Sequence, residues 1–259
     1  MSVEYSVEGE VAVITLARPE VFNSIDQSLT DGLVEALRRA PAEARAAVVT
    51  GAGKAFCAGA DLGDLLGEYE SGAPDLRDTI TRRFNPAVEA VLSADLPVVA
   101  AVNGAAAGAG MGLALACDIR VMADSAFFMS AFINVALVPD TGSAWFLPQM
   151  VGVSRAMEIA FTGRRVPADE AMTLGLAADV VAADEVVSSA VERAARLADG
   201  PRRAFVETRR IIHMAAAASL DATLAREAVV QGDLGALPSH REGMQAFVEK
   251  RPPDFRGSD

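Results

Sequence analysis

The sequence predicts an α/β protein with a mostly parallel sheet, followed by an all-helical C-terminal part. Three observations carry this. Short β-branched runs alternate with helix-period segments over the first two-thirds of the 259 residues. From Asp184 onward only helix-period segments follow. The chain is 51% hydrophobic, enough to bury a full core in one domain of this length.

Val3–Val7 and Val11–Leu16 alternate apolar and polar residues around Glu8-Gly9-Glu10, the pattern of a β-hairpin. Arg18-Pro19 ends the second strand. Ser24 and Gln27 form a capping box for a helix carrying Ile25, Leu29, Leu33 and Leu37 on one face. Ala46–Thr50 reads as a short buried strand. Gly51–Leu62 (GAGKAFCAGADL) is a glycine-punctuated loop without the spacing of either phosphate-cradling glycine motif. Gly67–Asp75, polar with Gly and Pro, has the composition of a mobile segment, and Leu76–Leu92 reads as a helix.

The stretch Leu96 to Asp118 organises the rest. Its 22 residues from Leu96 to Cys117 carry no charge, a length that would cross a bilayer. Asn103-Gly104 and the glycines at 108, 110 and 112 break the run, and both ends carry Asp rather than Lys or Arg. It reads instead as a strand (Pro97–Val102), a turn (Asn103–Ala107) and a small-residue helix (Gly108–Cys117). A helix opening directly after a buried strand presents backbone amides and the positive end of its dipole to an anion, or to an oxygen that becomes one. Tight helix–sheet packing is the alternative reason for the small residues.

After Asp118, Ile119–Ala123 is a strand and Ala126–Met129 an edge or strand fragment. Ser154–Thr162 and Pro167–Leu174 are short helices, and Ala178–Val181 is a last strand. The C-terminal helices are Glu185–Ala198, Arg202–Ala216, Leu220–Leu234 and Ser239–Lys250, the last opened by a capping box, Ser239-x-x-Glu242.

The net charge of −12 argues against nucleic acid or an anionic membrane as partner. The N-terminus MSVEYSVEGEV lacks the basic and apolar regions of a signal peptide, which points to the cytoplasm. Cys57 and Cys117 make no disulfide framework, and His213 and His240 have no second ligand at metal spacing, so no metal site is expected.

GAGKAFCAGADL, followed about 40 residues later by PVVAAVNGAAAGAGMGLALACDIRVM, resembles the signature pair of the crotonase, or enoyl-CoA hydratase/isomerase, superfamily. The resemblance continues through LVPDTGSAWFLPQMVG, FTGRRVPADEAMTLGLAADVV and EGMQAFVEKRPPDF. It implies a spiral of ββα units over residues 1–200 and a helical region over 201–259 that builds homotrimers, commonly paired into hexamers. It also implies an acyl-CoA thioester site with no cofactor beyond the CoA of the substrate. An oxyanion hole would come from the N–H groups of Ala60 and Ala109, suited to an enolate oxygen. The same resemblance suggests Arg18 near the CoA nucleotide, and the loop with Ala58, Asp61 and Leu62 along the pantetheine. Phe247 and Lys250 would reach a neighbouring subunit's ligand. Arg18 as a solvated turn charge and Phe247 as a core residue are the competing readings.

Departures from the pattern are as informative. Hydratases of the superfamily carry two glutamates at positions that here are Gly112 and Phe132, and water addition needs both an activating base and a proton source. Asp140 remains. Its segment, SAFINVALVPDTGSAWFLP, resembles the enoyl-CoA isomerase and ring-epoxide phenylacetyl-CoA isomerase branches. Phe132, Val138 and Trp145 would make its surroundings apolar and raise its pKa toward neutrality, suiting a single acid/base that moves a double bond. A helix N-cap is the plainer reading of Pro139-Asp140. Dehalogenases of the superfamily use a nearby histidine and a tryptophan; this chain has no histidine before His213, and Phe132 stands at the tryptophan's place. A weak or dual hydratase and a catalytically silent acyl-CoA-binding protein are the rival functions.

Overall fold

The computed structural model describes residues 1–69 and 72–257, the side chains of Leu62, Asp64 and Glu68 excepted. Its strands are β1 (Val3–Glu8), β2 (Val11–Leu16), β3 (Ala46–Gly51), β4 (Ala55–Cys57), β5 (Val98–Val102), β6 (Ala105–Ala107), β7 (Ile119–Ala123), β8 (Phe127–Met129), β9 (Arg165–Pro167) and β10 (Asp179–Val181). The helices are α1 (Gln27–Glu43), α2 (Leu62–Glu68), α3 (Leu76–Thr79), α4 (Asn85–Ser93), α5 (Ala109–Ala116), α6 (Ser143–Val151), α7 (Val153–Thr162), α8 (Ala168–Thr173), α9 (Val186–Ala198), α10 (Arg202–Ala215), α11 (Leu220–Gly235) and α12 (Pro238–Glu249). A π-helical turn, Ile80–Phe84, joins α3 to α4.

The larger sheet runs β1-β2-β3-β5-β7-β10 and the smaller β4-β6-β8-β9. Only the β1–β2 hairpin is antiparallel in the first; every later neighbour is parallel. Helices therefore cover both faces, and β3 and β5 are buried from end to end, which is why they read as continuous apolar runs. The chain spirals: β3, β5 and β7 each enter the large sheet, pass to β4, β6 or β8 in the small sheet, and leave through a helix. This is the ββα spiral of the crotonase fold.

The long uncharged stretch is thus split into β5, β6 and α5, all eight residues of α5 being buried. No helix among the described residues is long and apolar enough to cross a membrane. Several local expectations need correction. The N-cap of α1 is Asp26, whose carboxylate accepts the Leu29 N–H at 2.7 Å, while the Ser24 hydroxyl donates instead to the Val21 carbonyl. The N-cap of α12 is Leu237 with Pro238 in the first turn, and Glu242 is taken by Arg251 and the Asp254 N–H. The Asn103–Ala107 turn contains β6 and the Gly51–Leu62 loop contains β4, while Ala126–Met129 is a strand fragment, β8, that lies between β6 and β9 and not at an edge. Of the Gly67–Asp75 segment, residues 67 and 68 belong to α2, and 70 and 71 lie outside the described residues.

One buried ion pair ties the C-terminal helices to this frame. Arg209 on α10 bonds both oxygens of Asp118 at 2.6 and 2.7 Å and also donates to the Ala94 and Leu96 carbonyls. Asp118 in turn accepts the Val98 N–H at 2.7 Å. With every partner present the desolvated charges are satisfied, and the start of β5 and the end of α5 are pinned together. Beyond this anchor, α11 and α12 leave large apolar side chains exposed, Leu220, Val229, Phe247 and Val248 among them.

Candidate active site

Two backbone segments meet at the N-terminus of α5. After β4 the chain turns through Ala58-Gly59-Ala60, held from outside by Ala58 N–H to the Phe22 carbonyl (3.0 Å) and Ile25 N–H to the Gly59 carbonyl (2.7 Å). Gly59 has φ 90°, and a Cβ there would stand 2.7 Å from the Ala107 oxygen and 3.0 Å from the Ala109 nitrogen. A Cβ at Gly110 would overlap the Cys57 carbonyl itself. Glycine is required at both places because the two main chains touch. Among the described residues, neither the Ala60 nor the Ala109 N–H has an acceptor. Main-chain donors left unpaired at a largely buried place are uncommon in folded proteins. Ala58, Ala60 and Ala109 line one cavity of about 230 Å³.

The cavity's opposite wall is the segment after β8. A 3₁₀ turn, Ala131–Val135, lays buried Phe132 over Gly108, with ring carbons 3.9–4.0 Å from where a Cβ would be. The chain then bends sharply through Asp140, Thr141 and Gly142 into α6. Ser143 N–H donates to the Asp140 carbonyl at 2.8 Å, and Thr141 and Gly142 take φ 51° and 76°. The N-cap of α6 is Gly142, with no side-chain cap. The cap reading of Asp140 therefore fails: its Oδ1 accepts the Thr141 hydroxyl at 2.6 Å, and the residue lines the cavity. Asp140 is the only ionisable group among the described residues lining it. Burial pushes its carboxyl above the ordinary range, with the Thr141 hydroxyl opposing the rise. The remaining walls are apolar but for Thr79, whose hydroxyl donates to the Asp75 carbonyl at 3.1 Å; Leu65, Leu76, Ile80 and Phe84 form one side and Val135, Leu137 and Val138 the other.

Other expected residues fall in different places. Arg18 does not line the cavity; its guanidinium pairs with Asp26 (3.3 Å) and Asp61 (3.7 Å) and donates to the Ser24 carbonyl at 2.7 Å. Asp61 also accepts the Gly63 N–H, so the two residues brace the Ala58–Ala60 loop. The Leu62 side chain lies outside the described residues. Trp145 is not in the cavity wall: α6 turns it toward α10, where it packs edge-on against Phe146 (5.0 Å) and beside His213 (5.3 Å). Phe247 is 82% exposed near the end of α12, and Lys250 follows that helix in a left-handed conformation, so the core reading of Phe247 does not hold. Gly112 is filled space: a Cβ there would overlap the Thr141 carbonyl oxygen.

Sequence reasoning passed over Asn23. It is fully buried at φ 57°, accepts the Arg18 N–H at 2.9 Å, and donates to the Ala52 and Ala55 carbonyls at 2.9 and 2.8 Å. The signal was available: Asn tolerates the left-handed region better than most residues, and it follows a Pro turn. Nothing local shows that its amide spans to β4.

The chain matches the family profile described as enoyl-CoA hydratase/isomerase over residues 6–258. It is 45% identical to a Rhodobacter capsulatus protein named "Probable enoyl-CoA hydratase", covering 99% of this chain and 98% of that one. It is 38% identical to the 1,2-epoxyphenylacetyl-CoA isomerase of Escherichia coli K12, covering 97% of each. A crystal structure of enoyl-CoA hydratase from Bacillus anthracis superposes with a TM-score of 0.90 at 33% identity, covering 99% of this chain and all of that one. Fold, interlocked glycine segments and whole-length similarity agree, and the chain belongs to the enoyl-CoA hydratase/isomerase family of the crotonase superfamily.

Proposed function

We propose that the chain is an enoyl-CoA isomerase in which Asp140 alone moves the proton. The observation that carries the reading is the composition of the cavity: two unpaired main-chain donors, Ala60 and Ala109, and one carboxylate, Asp140, in apolar walls. The thioester oxygen of a 3-enoyl-CoA sits against the two N–H groups. Asp140 takes a proton from carbon 2, and the electron pair spreads into a dienolate whose oxygen the donors stabilise. The same carboxyl then returns the proton to carbon 4, leaving the conjugated 2-enoyl ester. The raised pKa suits a group that must both accept and release a proton near neutrality. Nothing is consumed, and the reaction calls for no cofactor beyond the substrate's own CoA.

Hydration is disfavoured because the cavity offers no second carboxylate among the described residues, and the Thr141 carbonyl occupies the space a glutamate at position 112 would need. Assembly into a trimer or a dimer of trimers belongs to the same reading. It is supported by the exposed apolar side chains of α11 and α12, and it would bring Phe247 and Lys250 to a neighbour's CoA.

The test is incubation with a 3-enoyl-CoA and, separately, a 2-enoyl-CoA in deuterated water, with Asp140→Asn alongside. Wild type should convert the 3-enoyl ester and exchange deuterium into it. Asp140→Asn should lose ~10²–10⁴ in rate, the usual worth of a positioned acid/base, while still binding the ester. Hydration of the 2-enoyl ester that survives in Asp140→Asn would reject the single-acid mechanism. Binding with neither turnover nor exchange would identify a silent binder.

A further inference from the structure

The Thr141 hydroxyl occupies one oxygen of Asp140, and the residue that holds it there is in a conformation a β-branched side chain rarely adopts. Thr141 is 2% exposed with φ 51°. For a threonine this is a left-handed outlier whose cost persists only where the surroundings impose it, and such residues gather at working sites. The surroundings here are explicit. Its carbonyl is wedged over Gly112 of α5, the Ser143 N–H closes the turn on the Asp140 carbonyl at 2.8 Å, and Gly142 at φ 76° lets α6 start at once. The outcome is a 2.6 Å hydrogen bond from Thr141 Oγ1 to Asp140 Oδ1 between adjacent residues.

We propose that Thr141 is the positioning residue of the acid/base: its hydroxyl fixes Oδ1 so that proton removal and proton return both run through Oδ2. This rests on the isomerase reading of Asp140. In the forward step the carbon 2 C–H bond breaks as an O–H bond forms at Oδ2. In the return step that O–H bond breaks as a C–H bond forms at carbon 4, so proton and charge balance. A carboxyl free to rotate would exchange its two oxygens between the steps and lose alignment with one of the carbons. The hydroxyl also favours the ionised form, against the burial that disfavours it. No other charged or titratable side chain among the described residues faces Asp140 across the cavity. Leu65, Leu76, Ile80 and Phe84 stand on one side, and Ala109 and Phe132 on the others.

The experiment compares Thr141→Val, which keeps the shape and the backbone strain but removes the donor, with Thr141→Ser, which keeps the donor. The readouts are the Asp140 carboxyl titration, followed by carbon-13 NMR of labelled aspartate without substrate, and the acid limb of kcat/KM. Thr141→Val should move both upward by about one to two pH units, the usual worth of a hydrogen bond to a charged group. Its kcat should fall more than KM rises. Thr141→Ser should restore all three. An unmoved titration in a folded Thr141→Val protein, or a shift that Thr141→Ser fails to reverse, overturns the proposal. Because the titration is read without turnover, an enzyme inactive on every 3-enoyl ester would sink the isomerase reading while the titration still judged the hydrogen bond.

Discussion

The two sides of the cavity are built by opposite means. On the amide side, β4, the Ala58–Ala60 turn and the start of α5 are pressed together so closely that glycines at 59 and 110 stand directly on neighbouring backbone. Asn23, Arg18 and Asp61 brace this side from behind, and no side chain chemistry enters the cavity from it. On the carboxylate side, the segment from Ala131 to Gly142 is a surface excursion with exposed Ile133, Val135, Leu137 and Val138, and its chemistry depends on one side chain and one strained turn. The difference teaches where a reaction can be changed. Backbone donors cannot be substituted away, so under the proposed function the amide side would serve any reaction passing through a thioester enolate. Under the same proposal, the choice of proton transfer would sit on the side that tolerates new residues.

The comparison breaks most decisively at Gly110. Gly110→Ala should cost more than about 3 kcal/mol, since the added methyl overlaps a backbone carbonyl that has no free direction to yield. A urea midpoint close to wild type would mean that the two segments are not interlocked as described. Alanine at Val138, on the other wall, is a fair control because that side chain is already 79% exposed.

Arg18 gives the next largest effect and separates bracing from ligand binding. Its neighbours Asp26 and Asp61 are themselves only 25% and 18% exposed, so removing the guanidinium takes the Arg18 charge away from two part-buried carboxylates. Arg18→Ala should lower stability by roughly 1–2 kcal/mol. It should also reduce kcat through the loosened Ala60 donor while leaving KM for the ester little changed across salt concentrations. A KM that rises strongly, and more so as salt is lowered, would place Arg18 on the CoA phosphates instead.

Much of this frame was legible in the sequence because it rests on repetition. The buried strands are β-branched runs, the hairpin alternates around Gly9, and the amide side is spelled by glycines at fixed spacing. What was illegible depends on long-range pairing. Strands β4, β6 and β9 are three residues each, rich in Ala or Pro, and exist only because β4 pairs with β6 while β6 and β9 flank β8. Capping failed for a different reason. Ser24 and Ser239 matched the pattern, but an Asp two residues on and a Pro one residue back held the better positions, and local pattern does not rank competitors. Trp145 reads as part of the apolar surroundings of Asp140, yet in the first turn of α6 its side chain points to His213 instead. Asp140 itself was found through its neighbours' resemblance, whereas the strain at Thr141 leaves no trace in the letters.

The smallest effect sharpens the comparison, because it asks whether the carboxylate side carries a stability cost that the amide side does not. Burial raises the Asp140 carboxyl above its unfolded value, so between the unfolded and folded pKa the native state binds more protons. Stability contributed by this group is therefore full below the unfolded pKa and falls as pH rises through the folded one. Asp140→Asn removes the titration. Compared with wild type, the variant should gain stability on the neutral side and lose that gain as the pH drops below the ordinary aspartate range. Urea midpoints for both proteins at pH 4 and pH 8 read the difference directly. A gain of equal size at both pH values would point to amide packing rather than relief of a buried charge. An enzyme that is slower but steadier only when the carboxylate would be ionised is what a site that holds a proton acceptor against its solvation should give.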